Sequence, residues 1–322
     1  FHVWNVKRLR PAELGPWDFT RPVATRGLWV AEGVTEYYGE LMLRRAGLWD
    51  DNKLIETLGE YVGAVEGAPG SRLMSAEESS LSAPFLDGAQ HEQRTNLPNT
   101  SVSYYPKGEV LGLVLDLLIR GRTKGRAGLD GVMRRMYREF YLESPNSSYY
   151  LRGRGYKSED FERVASEVAG FDLADFFARY VRGVETPPYK EALAQVGLRL
   201  IRRPASEPYS AGIVLDWEDP RVVKIRTVRN NSPAESAGLS QGDVLVSIGG
   251  TNVTRDNWLA ALKRFKQGDR VPFTVRRDRR TIQTTVTLGP PDRYDYRIEE
   301  NKNAPPEARA LRTAWTTKSS AE

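Results

Sequence analysis

The pattern of apolar residues changes near Leu198, and this change constrains the fold more than any other feature of the sequence. Before Leu198 apolar residues recur at helical spacing, whereas short runs rich in β-branched residues follow it. We therefore predict an α+β protein, with a mainly α-helical lobe at residues 1–200 and a β-rich domain at residues 205–289. Arg202-Arg203-Pro204 is interpreted as a linker, and residues 290–322 as a tail with one short helix at 306–315.

The local periodicity gives bounds for the individual elements. Helices are predicted at residues 52–65, 74–81, 128–143, 158–169 and 172–182. Strands are predicted at residues 213–215, 222–225, 243–248, 271–275 and 281–288. The longest apolar run, Val110 to Ile119, is too short to span a bilayer and contains Asp116, so no membrane span is expected.

The composition excludes several classes of protein. The chain has no cysteine, so any bound metal must use histidine and carboxylate ligands. The net charge of +5, from 47 basic and 42 acidic residues, is mild for this length. Arginine-rich clusters at residues 120–126 and 276–280 lack a recognisable nucleic-acid-binding module, so both are interpreted as solvated loops and no nucleic-acid partner is expected. The compartment stays open between cytoplasm and periplasm, and we prefer the periplasm.

The stretch Leu28–Glu40 contains the first candidate site residue. Apolar and small residues recur in it at helical spacing, as on a helix with one buried face. Glu32 lies beside this face, and a buried carboxylate needs a counter-charge, a hydrogen bond or a metal. Taken alone, Glu32 fits an exposed position on an amphipathic helix better than a ligand position. The beginning of the chain reverses this interpretation.

The chain begins Phe1-His2-Val3-Trp4-Asn5-Val6-Lys7. An H-E-x-x-H zinc site places two histidines one helical turn apart with the glutamate as base, and the third ligand comes from another helix. Phe1-His2 matches the last two letters of that motif. With Trp4 to Lys7, and with Trp29 to Thr35 matching Trp-x-x-Glu-Gly-x-Thr, the chain resembles the gluzincin metallopeptidases, most closely the PDZ-containing glycyl aminopeptidases of metallopeptidase family sixty-one. The resemblance implies a thermolysin-like catalytic lobe with His2 and Glu32 as ligands of Zn²⁺.

The resemblance also implies residues that this chain lacks. The first histidine and the base glutamate of the motif are absent, and so is the β-rich lobe that precedes them in the family. We therefore expect the chain to be the C-terminal portion of an aminopeptidase, with the missing N-terminal lobe as its partner. General-base assistance is typically worth about 10²–10⁴-fold. On its own the chain is expected to hold zinc weakly and to be inactive.

Tyr105 is the candidate catalytic residue. Pro106 suits the first turn of a helix, so Tyr105 is predicted at or just before the N-terminus of the helix over the apolar run. Gluzincin aminopeptidases carry a Tyr-x-Lys-Gly segment whose tyrosine hydrogen-bonds the tetrahedral intermediate, and Tyr105-Pro106-Lys107-Gly108 is similar to it. The alternative makes Tyr104 and Tyr105 an aromatic pair in the core. The ligand helix upstream favours the catalytic role.

Glu36 and His91 also have side chains that could take part in a metal site. Glu36 follows Glu32 by one helical turn, where its carboxylate could hydrogen-bond a ligand imidazole from behind. An exposed acid that pairs with a nearby arginine is equally compatible with the sequence. His91, the other histidine, is interpreted as a surface residue because its helical neighbours are poor ligands.

The β-rich part carries a second resemblance. Asn231 to Leu239, followed by Gly242-Asp243, looks like the PDZ signature, with a short helix capped near Ser232 and the longer PDZ helix at residues 257–266. PDZ domains add a peptide as an extra strand and hold its C-terminal carboxylate on loop amides. Ser210-Ala211-Gly212-Ile213 occupies the place of that loop and departs from the usual Gly-Leu-Gly-Phe. Peptide binding and a purely structural or gating role both stay open.

Together these features lead to one favoured function and one alternative. The favoured function is a zinc aminopeptidase that removes small N-terminal residues, Gly or Ala, from peptide substrates, a preference that only the resemblance implies. The alternative is a PDZ-bearing scaffold that binds peptides through Gly212-Ile213 and carries a non-catalytic peptidase-like lobe. Nothing but the two arginine clusters supports a nucleic-acid binder.

Overall fold

The computed structural model describes residues 1–16, 18–87, 96–146, 148, 151–205, 210–216, 218–219 and 222–317. Within these residues a helical lobe is followed by a β-rich domain, as the sequence predicts. The interpretation of His91 as a surface residue stays a prediction, since this residue lies outside the described ranges. No helix in the described ranges combines the length and the apolar character that crossing a membrane requires.

The predicted helices are present, with some differences at their ends. The helices of the lobe are α1 (Thr35–Arg45), α2 (Asp51–Gly67), α3 (Ala76–Leu81), α4 (Ala83–Leu86), α5 (Tyr104–Arg122), α6 (Leu129–Tyr137), α7 (Ser158–Ala169), α8 (Ala174–Phe176) and α9 (Tyr189–Gln195). Within the described ranges, three π-helical segments extend this set, at Trp29–Val34 before α1, Arg138–Leu142 after α6 and Phe177–Val181 after α8. The α-helical period used for the sequence prediction could not distinguish these wider turns.

The β domain is built on a sheet of antiparallel strands. The strands are β1 (Leu198–Pro204), β2 (Ile213–Asp216), β3 (Lys224–Val228), β4 (Val244–Ile248), β5 (Thr251–Asn252), β6 (Arg270–Arg277), β7 (Arg280–Thr287) and β8 (Tyr294–Glu300). The six-stranded sheet has the order β2-β3-β4-β6-β7, and β5 pairs with β4. β6 and β7 form the hairpin that the arginine-rich turn predicts. Helix α10 (Pro233–Ser236) is capped by the Ser232 side chain, as expected, whereas α11 (Trp258–Leu262) is shorter than predicted.

The interpretation of Arg202-Arg203-Pro204 as a linker is wrong. These residues belong to β1, which pairs antiparallel with β8 over its whole length, from Leu198↔Glu300 to Pro204↔Tyr294. The strand was not predicted because its partner lies in the tail, where exposed charged residues obscure the alternation of apolar and polar residues that is typical of a strand. The two-stranded sheet packs on α2, and the tail ends in α12 (Pro306–Thr317), whose buried Trp315 packs into the lobe.

The first arginine-rich cluster is only partly a solvated loop, so that interpretation also needs correction. Arg120 lies inside α5 and is 2% exposed, because it faces two carboxylates in the core. Its Nε donates to Asp116 Oδ1 at 2.8 Å, and a terminal nitrogen donates to Asp130 Oδ2 at 2.7 Å. Arg45 donates two hydrogen bonds to the same Asp130 and two more to the Trp315 carbonyl. This network joins the C-terminal helix to the lobe.

Candidate functional site

The first candidate ligand, His2, is held in one orientation by its own chain segment. The Phe1 ring stacks on the Tyr38 ring with their centroids 4.5 Å apart, and this contact holds the beginning of the chain on the lobe. His2 Nδ1 lies 3.1 Å from the Asn5 carbonyl oxygen. Because a carbonyl oxygen only accepts, this contact requires a proton on Nδ1 and leaves Nε2 as the nitrogen that can bind a metal or donate a proton to Glu32. In this arrangement His2 would bind a metal through Nε2.

Glu32 reaches the same point from the π-helical segment. Its Oε2 lies 3.1 Å from His2 Nε2, and its side chain is 20% exposed. The wide turn is stabilised by the buried Asn5, whose Nδ2 donates to the Val30 carbonyl and to Thr35 Oγ1, both at 3.0 Å. Asn5 therefore fastens the His2 segment to the Glu32 segment, a role that the sequence analysis did not assign. The only signal in the sequence was its place in Trp4 to Lys7, one of the segments that carry the family resemblance.

Close backbone packing brings α5 to the Glu32 segment. An added Cβ on Gly33 would lie 2.5 Å from Gly108 Cα, and one on Gly108 would lie 2.2 Å from the Trp29 carbonyl oxygen. No side chain fits between the two helices at this crossing. Lys107 points away from it and donates to the carbonyl oxygens of Ser71 and Met74. The Lys-Gly pair after Tyr105-Pro106 thus anchors α5 and permits its approach to Glu32.

Tyr105 lies in the first turn of α5, beside Glu32. Its backbone N–H donates to Ser103 Oγ at 3.2 Å, and its ring stacks on Tyr104 with centroids 4.8 Å apart. Burial, together with the nearby negative charge of Glu32, raises the pKa of Tyr105, so the phenol stays protonated as a donor. Tyr104 is oriented differently, since its hydroxyl donates to Asp87 Oδ2 at 2.6 Å.

Glu36 is next to this group but does not hold His2. His2 Nδ1 is already occupied by the Asn5 carbonyl, so an imidazole held by Glu36 must be a different one. Burial and the negative charge of Glu32 raise the pKa of Glu36, while His2 lowers it. The structure therefore places Glu36 within electrostatic reach of both candidate ligands.

A further pair of carboxyl groups, those of Glu40 and Glu109, lies deeper in the lobe than Glu32 and Glu36. Glu109 is fully buried, and neither of its carboxyl oxygens has a hydrogen bond of good geometry among the described residues. Burial and the neighbouring Glu40 raise the pKa of Glu109 to about 11. Burial also raises the pKa of Glu40 to about 7. Glu109 is therefore a neutral acid near pH 7, a feature that the sequence analysis missed because it lies within an apolar run.

The loop Ser210–Ile213 adopts a folded arrangement within the β domain. Ser210 and Gly289 exchange backbone hydrogen bonds, and Ser210 Oγ accepts from the Gly212 N–H at 2.8 Å. Gly212 has φ of +80°, and a Cβ there would lie 2.2 Å from Ser232 Cβ, so glycine is required. One of the loop amides is thus satisfied within the loop, while Ile213 begins β2.

Comparison with known proteins agrees with this division of the chain. Residues 1–111 match the family model of the M61 glycyl aminopeptidases, and residues 197–288 match that of the PDZ domain. The chain is thus a helical lobe followed by a PDZ domain. The lobe is therefore similar to the M61 glycyl aminopeptidases over residues 1–111. Comparison with curated proteins gave no match.

Solved structures extend the comparison beyond these segments. The crystal structure of an aminopeptidase N family protein from Idiomarina loihiensis is 25% identical and superposes with a TM-score of 0.83. The match covers 98% of this chain and 53% of that one, so the chain spans about half the length of this relative. The serine endoprotease from Yersinia pestis is 18% identical, covers 26% of this chain and 29% of its own, and has a TM-score of 0.23.

Proposed function

We propose that His2 and Glu32 hold Zn²⁺ in an aminopeptidase of which this chain forms part. The single observation that carries the proposal is the convergence of His2 Nε2, Glu32 Oε2 and the Tyr105 side chain at one place. Two ligand atoms around a tetrahedral ion with bonds of about 2.0–2.2 Å lie roughly 3.3 Å apart. The observed 3.1 Å separation and the Nδ1-protonated tautomer of His2 both fit a shared ion.

The ligand set within the chain is incomplete. In the part of the chain that the structure describes, no group of three or more His, Cys, Asp or Glu side chains is arranged to hold a metal. We infer that the other histidine and the general base come from residues outside these 322, and that Glu36 orients that histidine. The isolated chain should accordingly bind zinc weakly and show no turnover. Stoichiometric zinc with robust turnover by the chain alone would refute this inference.

Each residue has a defined part in the proposed hydrolysis of a peptide bond. Zinc, when bound, supplies Lewis acidity to the scissile carbonyl and lowers the pKa of water. Asn5 fixes the two ligand segments relative to each other, and its carbonyl keeps the proton on His2 Nδ1. Tyr105, kept neutral by its raised pKa, donates a hydrogen bond to the developing oxyanion. The preference for N-terminal Gly or Ala is proposed from the likeness to the glycyl aminopeptidases.

The test uses the full-length protein that carries this chain. Hydrolysis of Gly- and Ala-p-nitroanilide and zinc content are measured for the wild type, Tyr105→Phe and Glu32→Gln. Removing an oxyanion donor typically lowers kcat by about 10²–10³, and we expect this loss for Tyr105→Phe. Tyr294→Phe is the matched control, because it makes the same chemical change in β8, outside the site. Stoichiometric zinc in Glu32→Gln, or full activity in Tyr105→Phe, would contradict the proposal.

The PDZ domain supports a second candidate, a scaffold that captures peptide C-termini at Ser210–Ile213. It predicts micromolar binding of a fluorescent peptide that is abolished by amidation of its C-terminus. It also predicts that peptide binding is unchanged by Glu32→Gln and Tyr105→Phe. Equal binding of the free and amidated peptides would refute carboxylate capture and leave a structural role for the domain.

A further inference from the structure

The contact between the lobe and the PDZ domain contains a pair of asparagine hydrogen bonds to a single residue. Asn99 Nδ2 donates to the Val228 carbonyl oxygen at 2.7 Å. Val228 N–H donates to Asn96 Oδ1 at 3.0 Å. Asn99 is 3% exposed and Val228 6% exposed, so the first of these bonds is shielded from water.

The position of Val228 explains why the bonds matter. Val228 ends β3, where one edge pairs with β2 through Ile213. On the other edge, the pairing of β3 with β4 within the described residues is limited to the beginning of β3, at Lys224↔Val244. The two asparagines therefore complete the ladder at an otherwise open edge. A buried peptide group left unpaired there would cost roughly 1–3 kcal/mol.

Both asparagines lie in the segment that directly precedes α5 and Tyr105 in the chain. Residues 96–103 form one short 3₁₀ turn (Leu97–Asn99) and contain no strand or longer helix, so the segment depends on external contacts. On the lobe side, Ser79 Oγ donates to the Val102 carbonyl at 2.6 Å. On the PDZ side, the contacts are those of Asn96 and Asn99. Ser103, which caps Tyr105, is the last residue of the segment.

We propose that Asn96 and Asn99 are positioning residues through which the PDZ domain holds Tyr105 in place for catalysis. The inference rests on the proposed function for its kinetic consequence, but its structural part stands independently. The residue after Val228, Arg229, donates its backbone N–H to the Gly212 carbonyl oxygen. The two asparagine bonds therefore also connect the site with the loop Ser210–Ile213 of the PDZ domain. The PDZ domain therefore helps to position a catalytic residue, whether or not it also binds a peptide.

The chemistry of the two bonds provides matched variants. Asn96→Asp keeps an oxygen to accept from the Val228 N–H, whereas Asn99→Asp replaces the donor with an oxygen opposite the Val228 carbonyl. Asn99→Ala is a milder variant that leaves this carbonyl unpaired. In the full-length protein we expect Asn99→Asp to lower kcat for Ala-p-nitroanilide by about tenfold or more, since small misplacements of catalytic groups have effects of this order. KM and zinc content should stay within about twofold, and Asn96→Asp should resemble the wild type.

Amide hydrogen exchange of this chain gives a second readout that needs neither zinc nor activity. Exchange across residues 97–107 should be faster in Asn99→Asp and Asn99→Ala than in Asn96→Asp. Equal effects of Asn96→Asp and Asn99→Asp, or a lowered Tm in Asn99→Asp with unchanged kcat and exchange, would overturn the proposal. A wild-type protein without peptidase activity would refute the proposed function, while the exchange comparison would still decide whether the asparagine pair holds the segment.

Discussion

The most quantitative prediction concerns Glu109, the buried acid behind the site. Its side chain is fully buried, and the neighbouring carboxyls of Glu40 and Glu36 both raise its pKa. Burial and the charge of Glu40 raise the pKa of Glu109 from its ordinary value of 4.5 to about 11. Glu109→Gln replaces a neutral carboxylic acid by a neutral amide of nearly the same shape. We therefore expect a stabilising substitution at a fully buried position.

The sign and size of the effect follow from proton linkage. Because the pKa of Glu109 is higher in the folded protein than in the unfolded chain, the unfolded chain loses the proton first as pH rises. Glu109 therefore lowers the free energy of unfolding progressively above pH 4.5, the ordinary value, until the pH reaches the folded-state pKa of about 11. One pH unit corresponds to 1.36 kcal/mol, so at pH 7 the loss reaches an upper limit of about 3 kcal/mol. Glu109→Gln has no such loss.

Urea unfolding followed by tryptophan fluorescence at pH 5, 6, 7 and 8 tests this prediction. The free energy of unfolding of Glu109→Gln should exceed that of the wild type by a margin that grows with pH, to about 1–3 kcal/mol at pH 7. Glu60→Gln is the matched control, because it makes the same chemical change at an exposed position of α2. Parallel pH curves for Glu109→Gln and wild type, or destabilisation at every pH, would refute a neutral Glu109.

Further substitutions test the packing and the hydrogen bonds that form the site. Gly33→Ala should destabilise the lobe by about 1–3 kcal/mol or more in urea unfolding, because the added Cβ would lie 2.5 Å from Gly108 Cα. Gly39→Ala, with no atom within 4 Å of the added Cβ, should instead stabilise it by about 0.5–1 kcal/mol, and equal effects would contradict the proposed close approach. Asn5→Ala should weaken zinc binding to the full-length protein about 10–100-fold in a chelator competition, since Asn5 fastens both ligand segments. Unchanged zinc affinity would refute the role of Asn5 in positioning the two ligand segments.

The sequence predicted the overall fold because each part carried a periodic or motif signal. The helical lobe, the PDZ domain with its Ser232 cap and the hairpin after β6 were all predicted from such local signals. The β1–β8 pair was missed because it joins residues about a hundred positions apart, and a strand pair of that separation leaves no local signal. Arg120 was misassigned for a different reason, since its partner Asp130 lies in α6 and only the packing of α6 against α5 brings the two side chains together.

The candidate site was predicted only as a set of residue types. The motif letters selected His2, Glu32 and Tyr105, and the structure brings these residues together. The sequence could not reveal how they are held there. Asn5 depends on a π-helical turn that an α-helical period does not predict, and the Asn96–Asn99 pair depends on the docking of two domains. Such contacts arise from tertiary packing, which single-residue patterns do not encode.

The central claim, that His2 and Glu32 share one zinc ion beside Tyr105, is tested most directly by anomalous diffraction. Crystals of the full-length protein with zinc would be measured above and below the zinc absorption edge. We predict one strong anomalous peak about 2.0–2.2 Å from both His2 Nε2 and a Glu32 carboxylate oxygen. A zinc peak bound elsewhere, with His2 and Glu32 paired only to each other, would contradict the account.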